Sequence, residues 1–161
     1  MLSDDHIVVI ALGSFDPLHP GHIHYLTEAK KFGDRLIVGL ELDNCIIRKH
    51  GVSFMNWEER APVMRGLKPV DEVIMITDCI NPYDDALRQV RRTYPTATLI
   101  FVSGNPQNEN NSPTLPDQDL RFEYNVGADI KVPSSSELLR RYSAYVRVIN
   151  EMESSPYRRY E

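Results

Sequence analysis

Ile7-Val8-Val9-Ile10-Ala11-Leu12 runs directly into Gly13-Ser14-Phe15-Asp16-Pro17-Leu18-His19-Pro20-Gly21-His22. The first six residues are uninterrupted apolar and rich in β-branched side chains, the pattern of a strand buried on both faces. Gly13 lets the chain turn out of that strand. From Pro20 to Phe32, Ile23, Leu26, Ala29 and Phe32 recur at helical spacing, and Gly33 is a suitable stop. A buried strand, a short loop and a helix therefore open the chain. His19 and His22 flank the helix start, where free backbone donors and the helix dipole favour anions.

The same alternation continues outward. Leu36 to Leu40 reads as a second buried strand, and Asp43 to Met55 as a loop carrying Lys49. Asn56 with Glu59 predicts a helix start, and the helix runs to about Leu67. Pro62 calls for a kink there or a redrawn boundary. Val73 to Ile76 is a third strand, Pro82 to Thr93 a helix capped by Asn81, and Thr98 to Val102 a fourth strand. Asn105 to Gln118 is rich in Asn, Pro, Gln and Ser, and is either a mobile surface segment or a loop that covers substrate. Asp129 to Val132 is expected to be a short fifth strand. Ser135 to Met152 is a final amphipathic helix with Leu138, Tyr142, Val146 and Ile149 on one stripe, and the tail after Ser154 frays. Strands alternating with helices predict an α/β, Rossmann-like parallel sheet of about five strands with helices on both faces. One domain over residues 1–161 is expected, with its core at about 7–152 and a tail at 153–161. Ligands in such folds bind beyond the carboxyl ends of the strands, where Gly13 to His22 falls.

Bulk properties narrow the function classes. With 161 residues, 42% of them hydrophobic and 25% charged, the chain is long and apolar enough for a substantial core. A net charge of -5 argues against broad binding to nucleic acid but allows a local basic pocket for a triphosphate. No apolar run approaches the roughly 20 residues that span a bilayer, so no membrane partner is expected. The stretch Met1 to His6 is polar and acidic, unlike a signal peptide. Cys45 and Cys79 are far apart and form no metal-type pair, which suggests separate thiols in a reducing compartment and a cytoplasmic location.

Gly13 to His22 resembles the G-x-F-D-x-x-H-x-G-H motif of the cytidylyltransferase-like nucleotidyltransferase superfamily. That group includes glycerol-3-phosphate cytidylyltransferases, the nucleotidyltransferase domain of ADP-heptose synthases, and several adenylyltransferases. The resemblance extends from Ile7 to about Tyr142. It implies a nucleotidyltransferase with His19, His22 and Lys49 as the catalytic donors. Gly13, Ser14, Phe15, Asp16 and Gly21 would bind nucleotide, with Gly21 allowing its close approach. Two imidazoles at a helix start can donate hydrogen bonds to phosphate oxygens as charge moves onto them. Lys49 would face the triphosphate; read from its own surroundings, it is equally a solvated loop lysine.

Two later blocks also match. Glu58-Glu59-Arg60 with Leu67 to Val73 resembles a family block in which Arg60 lies near the acceptor or the phosphates, although a helix-surface ion pair fits as well. Ser134-Ser135-Ser136-Glu137-Leu138-Leu139-Arg140 resembles the late S-S-T-x-I-R motif, whose hydroxyls and amides hold β- and γ-phosphates, with Arg140 on the motif's arginine. Ser134 and Glu137 also satisfy a capping box, and a capped helix start is itself an anion site. Glu137 replaces the motif's threonine. Asp129 to Val132 replaces an Arg-Thr-Glu-Gly run, and Gly104-Asn105-Pro106 departs from the usual glycine followed by acidic residues.

The expectation is transfer of a nucleoside monophosphate, from CTP by the Asp43 to Arg60 spacing, to a phosphorylated small-molecule acceptor. An adenylyltransferase using ATP is the alternative, and a non-catalytic nucleotide-binding protein a third. His19, His22 and His24 have no cysteine or carboxylate nearby to complete a zinc set, so no direct metal site is expected. Magnesium would arrive on the nucleoside triphosphate. The resemblance also implies a homodimer.

Overall fold

Alternation of side chains along Ile7–Gly13 (β1) sends Val8 and Ile10 to one face of a sheet and Val9 and Ala11 to the other, all four fully buried. The computed structural model describes residues 6–108 and 112–154. β1 is followed by α1 (Pro20–Lys30), β2 (Arg35–Glu41), α2 (Asp43–His50), α3 (Trp57–Arg65), β3 (Glu72–Ile76), α4 (Pro82–Thr93), β4 (Thr98–Val102), β5 (Leu120–Glu123) and α5 (Ser135–Glu153). The five strands form one parallel sheet in the order β3-β2-β1-β4-β5.

Two apolar layers cover the sheet. On one face Leu26 and Ala29 of α1 and Ala61 and Met64 of α3 pack on Val9, Ala11, Leu36 and Val38. On the other, Ala86, Leu87 and Val90 of α4 pack on Val8, Ile10, Ile37 and Phe101. The expected α/β, Rossmann-like architecture with helices on both faces is therefore observed. The strand order reverses between β1 and β4, which opens a crevice beyond their carboxyl ends, the usual ligand position in such sheets.

Three local expectations need correction. Residues 43–50 form helix α2 rather than a loop. Its basic last turn, Arg48-Lys49-His50, is followed by Gly51 at φ +85°, a left-handed helix stop. The fifth strand is Leu120–Glu123, and residues 129–132 are turn and loop. Leu120 and Phe122 pack toward the Phe101 layer while Arg121 and Glu123 face solvent, as on an edge strand. Cys45 and Cys79 are joined as a disulfide, with Cα atoms 5.0 Å apart; strand and helix bring together two positions that the sequence separates by 34 residues. The expected amphipathic helix is present as α5, and its apolar stripe is left open: none of its 19 residues is buried, and Tyr142 is 52% exposed.

Pro62 falls inside α3, which runs through it. Both Pro62 and Glu58, whose carbonyl loses its usual partner there, are exposed, so water can replace the missing donor. The capping box at Asn56 and Glu59 is complete. The expected tail falls mostly outside the described residues, as do residues 1–5 and 109–111. Among the described residues no helix is long and apolar enough to cross a membrane.

Candidate active site

β1 delivers Gly13 and Ser14 to the crevice, and α1 begins directly opposite them. His19 is the N-cap of α1, and its Nδ1 accepts the Gly21 amide at 3.1 Å. In the neutral ring that bond leaves the proton on Nε2, the other ring nitrogen. The His22 ring stacks on His19 with centroids 3.7 Å apart, and Phe15 meets it edge-on at 4.9 Å. Burial lowers the pKa of His19, and burial followed by the neighbouring His19 lowers that of His22 to about 4. Near neutral pH the pair is uncharged, so it offers hydrogen bonds rather than fixed cations. His22 Nδ1 is buried and, among the described residues, has no hydrogen-bond partner.

The glycines act through close approach. A Cβ on Gly13 would lie 2.9 Å from the Phe15 ring, so Gly13 lets that ring fold back over the strand end. A Cβ on Gly21 would lie 2.4 Å from Val132 and 2.9 Å from the His19 ring. What approaches Gly21 in this structure is thus the protein's own side chains.

Three connected lobes meet at Ser14. The first, about 490 Å³, is lined by His19, His22 and Tyr83 and walled by Val102, Gly104, Val126, Ile130 and Val132. Its outer wall, residues 125–132, is anchored to α1 by the His24 Nε2–Asp129 contact at 2.8 Å. Gly127, at φ +67°, lies so near Tyr25 that a Cβ would come within 2.9 Å of its Cα. Tyr25 in turn donates its phenol to the Val102 carbonyl at 2.9 Å, and burial raises its pKa beyond the usual range. The second lobe, about 750 Å³, is lined by Asp16, both histidines, His50, Val52 and Ser134 to Ser136. The third, about 270 Å³, holds Glu41, Lys49, His50, Pro82 and Tyr83.

Several residues expected at the site hold it together from behind. Asp16 is buried, and its carboxylate accepts the amides of Phe54 (2.7 Å) and Met55 (2.8 Å) and the Ser53 hydroxyl (3.2 Å). Arg60 is 2% exposed; it donates to the carbonyls of Ser14 (2.8 Å) and Met55 (2.9 Å) and pairs with Asp43. The Asp43 to Arg60 spacing thus closes an ion pair inside the framework. Ser134 caps α5 through the Glu137 amide at 3.2 Å, and Ser135 donates to the Pro17 carbonyl at 3.0 Å. The Glu137 carboxylate pairs with Arg141 instead of completing a capping box. Ser134 Oγ only accepts in that cap and keeps its own proton to donate, Ser136 also lines the second lobe, and the free amides at the helix start add to what α5 can offer an anion. Lys49 is ion-paired with Glu41 in the third lobe. Arg140 is exposed on α5 and lines none of the three lobes.

Sequence reading passed over Glu41, His50, Tyr83 and Val132. His50 adjoins Lys49 in the last turn of α2, and that basic turn followed by Gly51 is a helix-end signal. Glu41, Tyr83 and Val132 carried no such signal.

Among the described residues no group of three or more His, Cys, Asp or Glu side chains could hold a metal ion. The Asp16 oxygens are occupied by the 53–55 segment. A magnesium ion riding on a triphosphate needs few protein ligands and is compatible with this site.

The Cytidylyltransferase-like family profile matches residues 10–105, which span β1 to the end of the first lobe's β4 wall. The FAD synthase of Picrophilus torridus is 37% identical over 139 residues, covering 83% of this chain and 94% of that protein. The chain belongs to the cytidylyltransferase-like family. The bifunctional protein HldE of Haemophilus influenzae is 45% identical over 73 residues, 44% of this chain and 15% of HldE, so this chain spans only a small part of that relative. The lipopolysaccharide core biosynthesis protein of Thermoplasma volcanium GSS1 has the same fold, with a TM-score of 0.55 at 22% identity over 74% of this chain and 95% of that one.

Proposed function

We propose that this protein is a nucleotidyltransferase that moves an adenylyl group from ATP to a phosphate monoester, with flavin mononucleotide as the leading acceptor, and releases pyrophosphate. The observation that carries this reading is the FAD synthase relative, which aligns over almost its whole length. FAD is an adenylyl group joined to the phosphate of flavin mononucleotide. CTP was favoured by the Asp43 to Arg60 spacing, and the ion pair between those residues accounts for that spacing without reference to a base.

The nucleoside occupies the first lobe, and the β- and γ-phosphates lie at the amides that start α5. Pyrophosphate departs on that side, so the acceptor enters from the third lobe, in line across Ser14. An acceptor phosphate oxygen forms a bond to the α-phosphorus as the bond to the pyrophosphate oxygen breaks. The attacking oxygen is already an anion, so no general base is required. His19 and His22 donate to the oxygens that gain charge, Lys49 offsets the charge of the incoming phosphate, and His50 adjoins it in the same lobe. Magnesium, when bound to the triphosphate, screens its charge.

No step calls for a protein nucleophile, and the disulfide leaves neither cysteine as a thiol. The disulfide removes the support that separate thiols lent to a reducing compartment, so a cytoplasmic location rests on ATP as the donor alone. The open face of α5, with Tyr142, Tyr145, Val148 and Met152 each more than half exposed, supports a homodimer; light scattering in solution checks it.

Initial rates of pyrophosphate release with ATP and CTP, each with flavin mononucleotide and with sugar phosphates, test the reading. ATP with flavin mononucleotide should be fastest. A faster reaction with CTP would overturn the donor assignment. Release from no pair would leave nucleotide binding without transfer.

A further inference from the structure

The third lobe contains a carboxylate in a place where an anionic substrate is expected. Glu41 ends β2 with its side chain only 9% exposed, and its Oε1 accepts the Lys49 ammonium. Among the described residues no hydrogen bond reaches Oε2. Tyr83, across the same lobe, makes no hydrogen bond through its hydroxyl among the described residues either, although its ring packs against Phe101. Burial first, then Glu41 and Tyr124, push the Tyr83 phenol up to about 12, so it remains a protonated donor.

The lobe thus divides in two. Lys49 attracts a phosphate. Glu41 repels one, and its unpartnered oxygen requires a hydrogen-bond donor, since a carboxylate left unsatisfied on ligand binding is costly. Tyr83, across the same lobe, supplies a donor that requires an acceptor. A hydroxyl group answers both demands at once, because it donates one hydrogen bond and accepts another. An alkyl phosphate with no hydroxyl would bury the Glu41 oxygen with nothing to meet it.

We propose that Glu41 and Tyr83 select the acceptor as a phosphate ester whose carbon chain carries free hydroxyl groups, one of which donates to Glu41 and accepts from Tyr83. The proposal rests on the transfer reading above and names the acceptor class for the same site. Lys49 has a second role in it: by holding Oε1 it leaves Oε2 to the ligand.

The test is initial-rate kinetics with ATP and three acceptor probes: flavin mononucleotide, whose phosphate is on a ribityl chain; ribose 5-phosphate, a hydroxylated sugar with no flavin; and ethyl phosphate, which has no hydroxyl. The wild type should use at least one hydroxylated probe with a kcat/KM about a hundredfold or more above ethyl phosphate, since sites built to hydrogen-bond a group reject analogues lacking it. The two hydroxylated probes separate a flavin from a sugar as the source of the polyol. Glu41→Gln and Tyr83→Phe should each shrink that ratio by roughly tenfold through the KM of the acceptor; Tyr83 also lines the first lobe, so the KM of ATP should stay unchanged in Glu41→Gln. If Glu41→Gln does not fold, Tyr83→Phe alone carries the test. A fall in kcat common to all three probes, with the ratio preserved, would assign both residues to structure and overturn the proposal. So would a wild type that uses ethyl phosphate as well as the hydroxylated probes, while leaving the transfer reading intact. Pyrophosphate release with no acceptor at all would remove the transfer reading, and the selection with it.

Discussion

The imidazoles of His19 and His22 stack face to face, centroids 3.7 Å apart, where β1 hands the chain to α1. The arrangement makes the apoprotein sensitive to pH. His22 has a folded pKa of about 4, below its ordinary 6.5, because it is buried and faces His19. The unfolded chain therefore takes up this proton more readily than the folded one. The contribution to stability is full above pH 6.5 and is lost as pH falls from 6.5 to about 4. It amounts to about 3 kcal/mol at most, and to less where water screens the ring. The Tm of the apoprotein should drop between pH 7 and 4.5, and His22→Asn should flatten the drop. Asp71, Asp84, Asp85 and Asp117, held below the usual carboxylate pKa, act only at lower pH. A Tm that is level across the window would contradict the assignment.

Catalysis should depend on the pair more than binding does. Replacing His19 or His22 with Ala should lower kcat about a hundredfold each, near 3 kcal/mol of barrier, because each removes one donor to the charge that develops. Nucleotide affinity, measured by calorimetry, should change by a far smaller factor. An equal loss in affinity and turnover would mean that the histidines bind the ground state.

Asp16 and Arg60 grip the 53–55 segment from two sides and fix the Ser14 carbonyl. Arg60→Ala leaves Asp43 and two carbonyls without their partner and should cost about 3 kcal/mol or more. Asp16→Asn exchanges a two-oxygen acceptor for one oxygen and an amide, and should cost about 1.5–3 kcal/mol. Urea unfolding measures both. Neither side chain is assigned a reacting atom, so a variant that is fully stable but inactive would argue against the scaffold role.

The Cys45–Cys79 bridge closes a loop between positions 34 residues apart. On the chain-entropy account it contributes about 3–4 kcal/mol. Dithiothreitol, or replacing either cysteine with Ser, should lower the Tm and leave the rate of transfer nearly intact at 25 °C. A rate that collapses on reduction while the fold persists would tie the bridge to the chemistry.

The strand–loop–helix at the start of the chain was legible because its signals agree: an unbroken apolar run, a turn, then Pro20 at the first helical position. α4 and β4 were read to the residue for similar reasons. α2 was not, because only Cys45 and Ile46 of its eight residues are buried and Leu42 offers no side-chain cap. Asp129 to Val132 alternates like a strand, yet Ile130 and Val132 line the first lobe. Alternation records which side chains avoid water and does not distinguish a sheet face from a cavity wall. β5 was hidden behind a polar loop that is tied to α4 by Thr114 to Asp84 and by Asp117 to Arg91. In the site, the motif located the histidines, but residue type did not reveal that Asp16 and Arg60 face inward. Nor did the sequence reveal that Glu41 and Tyr83 enter the third lobe, since tertiary packing alone brings β2 and α4 to that point.

One competition experiment tests adenylyl transfer most directly. ATP, CTP, GTP and UTP at equal concentration are incubated with the protein, magnesium and flavin mononucleotide, and the dinucleotide products are identified by mass spectrometry. The account predicts FAD as the dominant product, with no nucleotidylated protein trapped when the acceptor is omitted. A dominant cytidylyl product, or a nucleotidyl–protein adduct that adding flavin mononucleotide discharges, would contradict it.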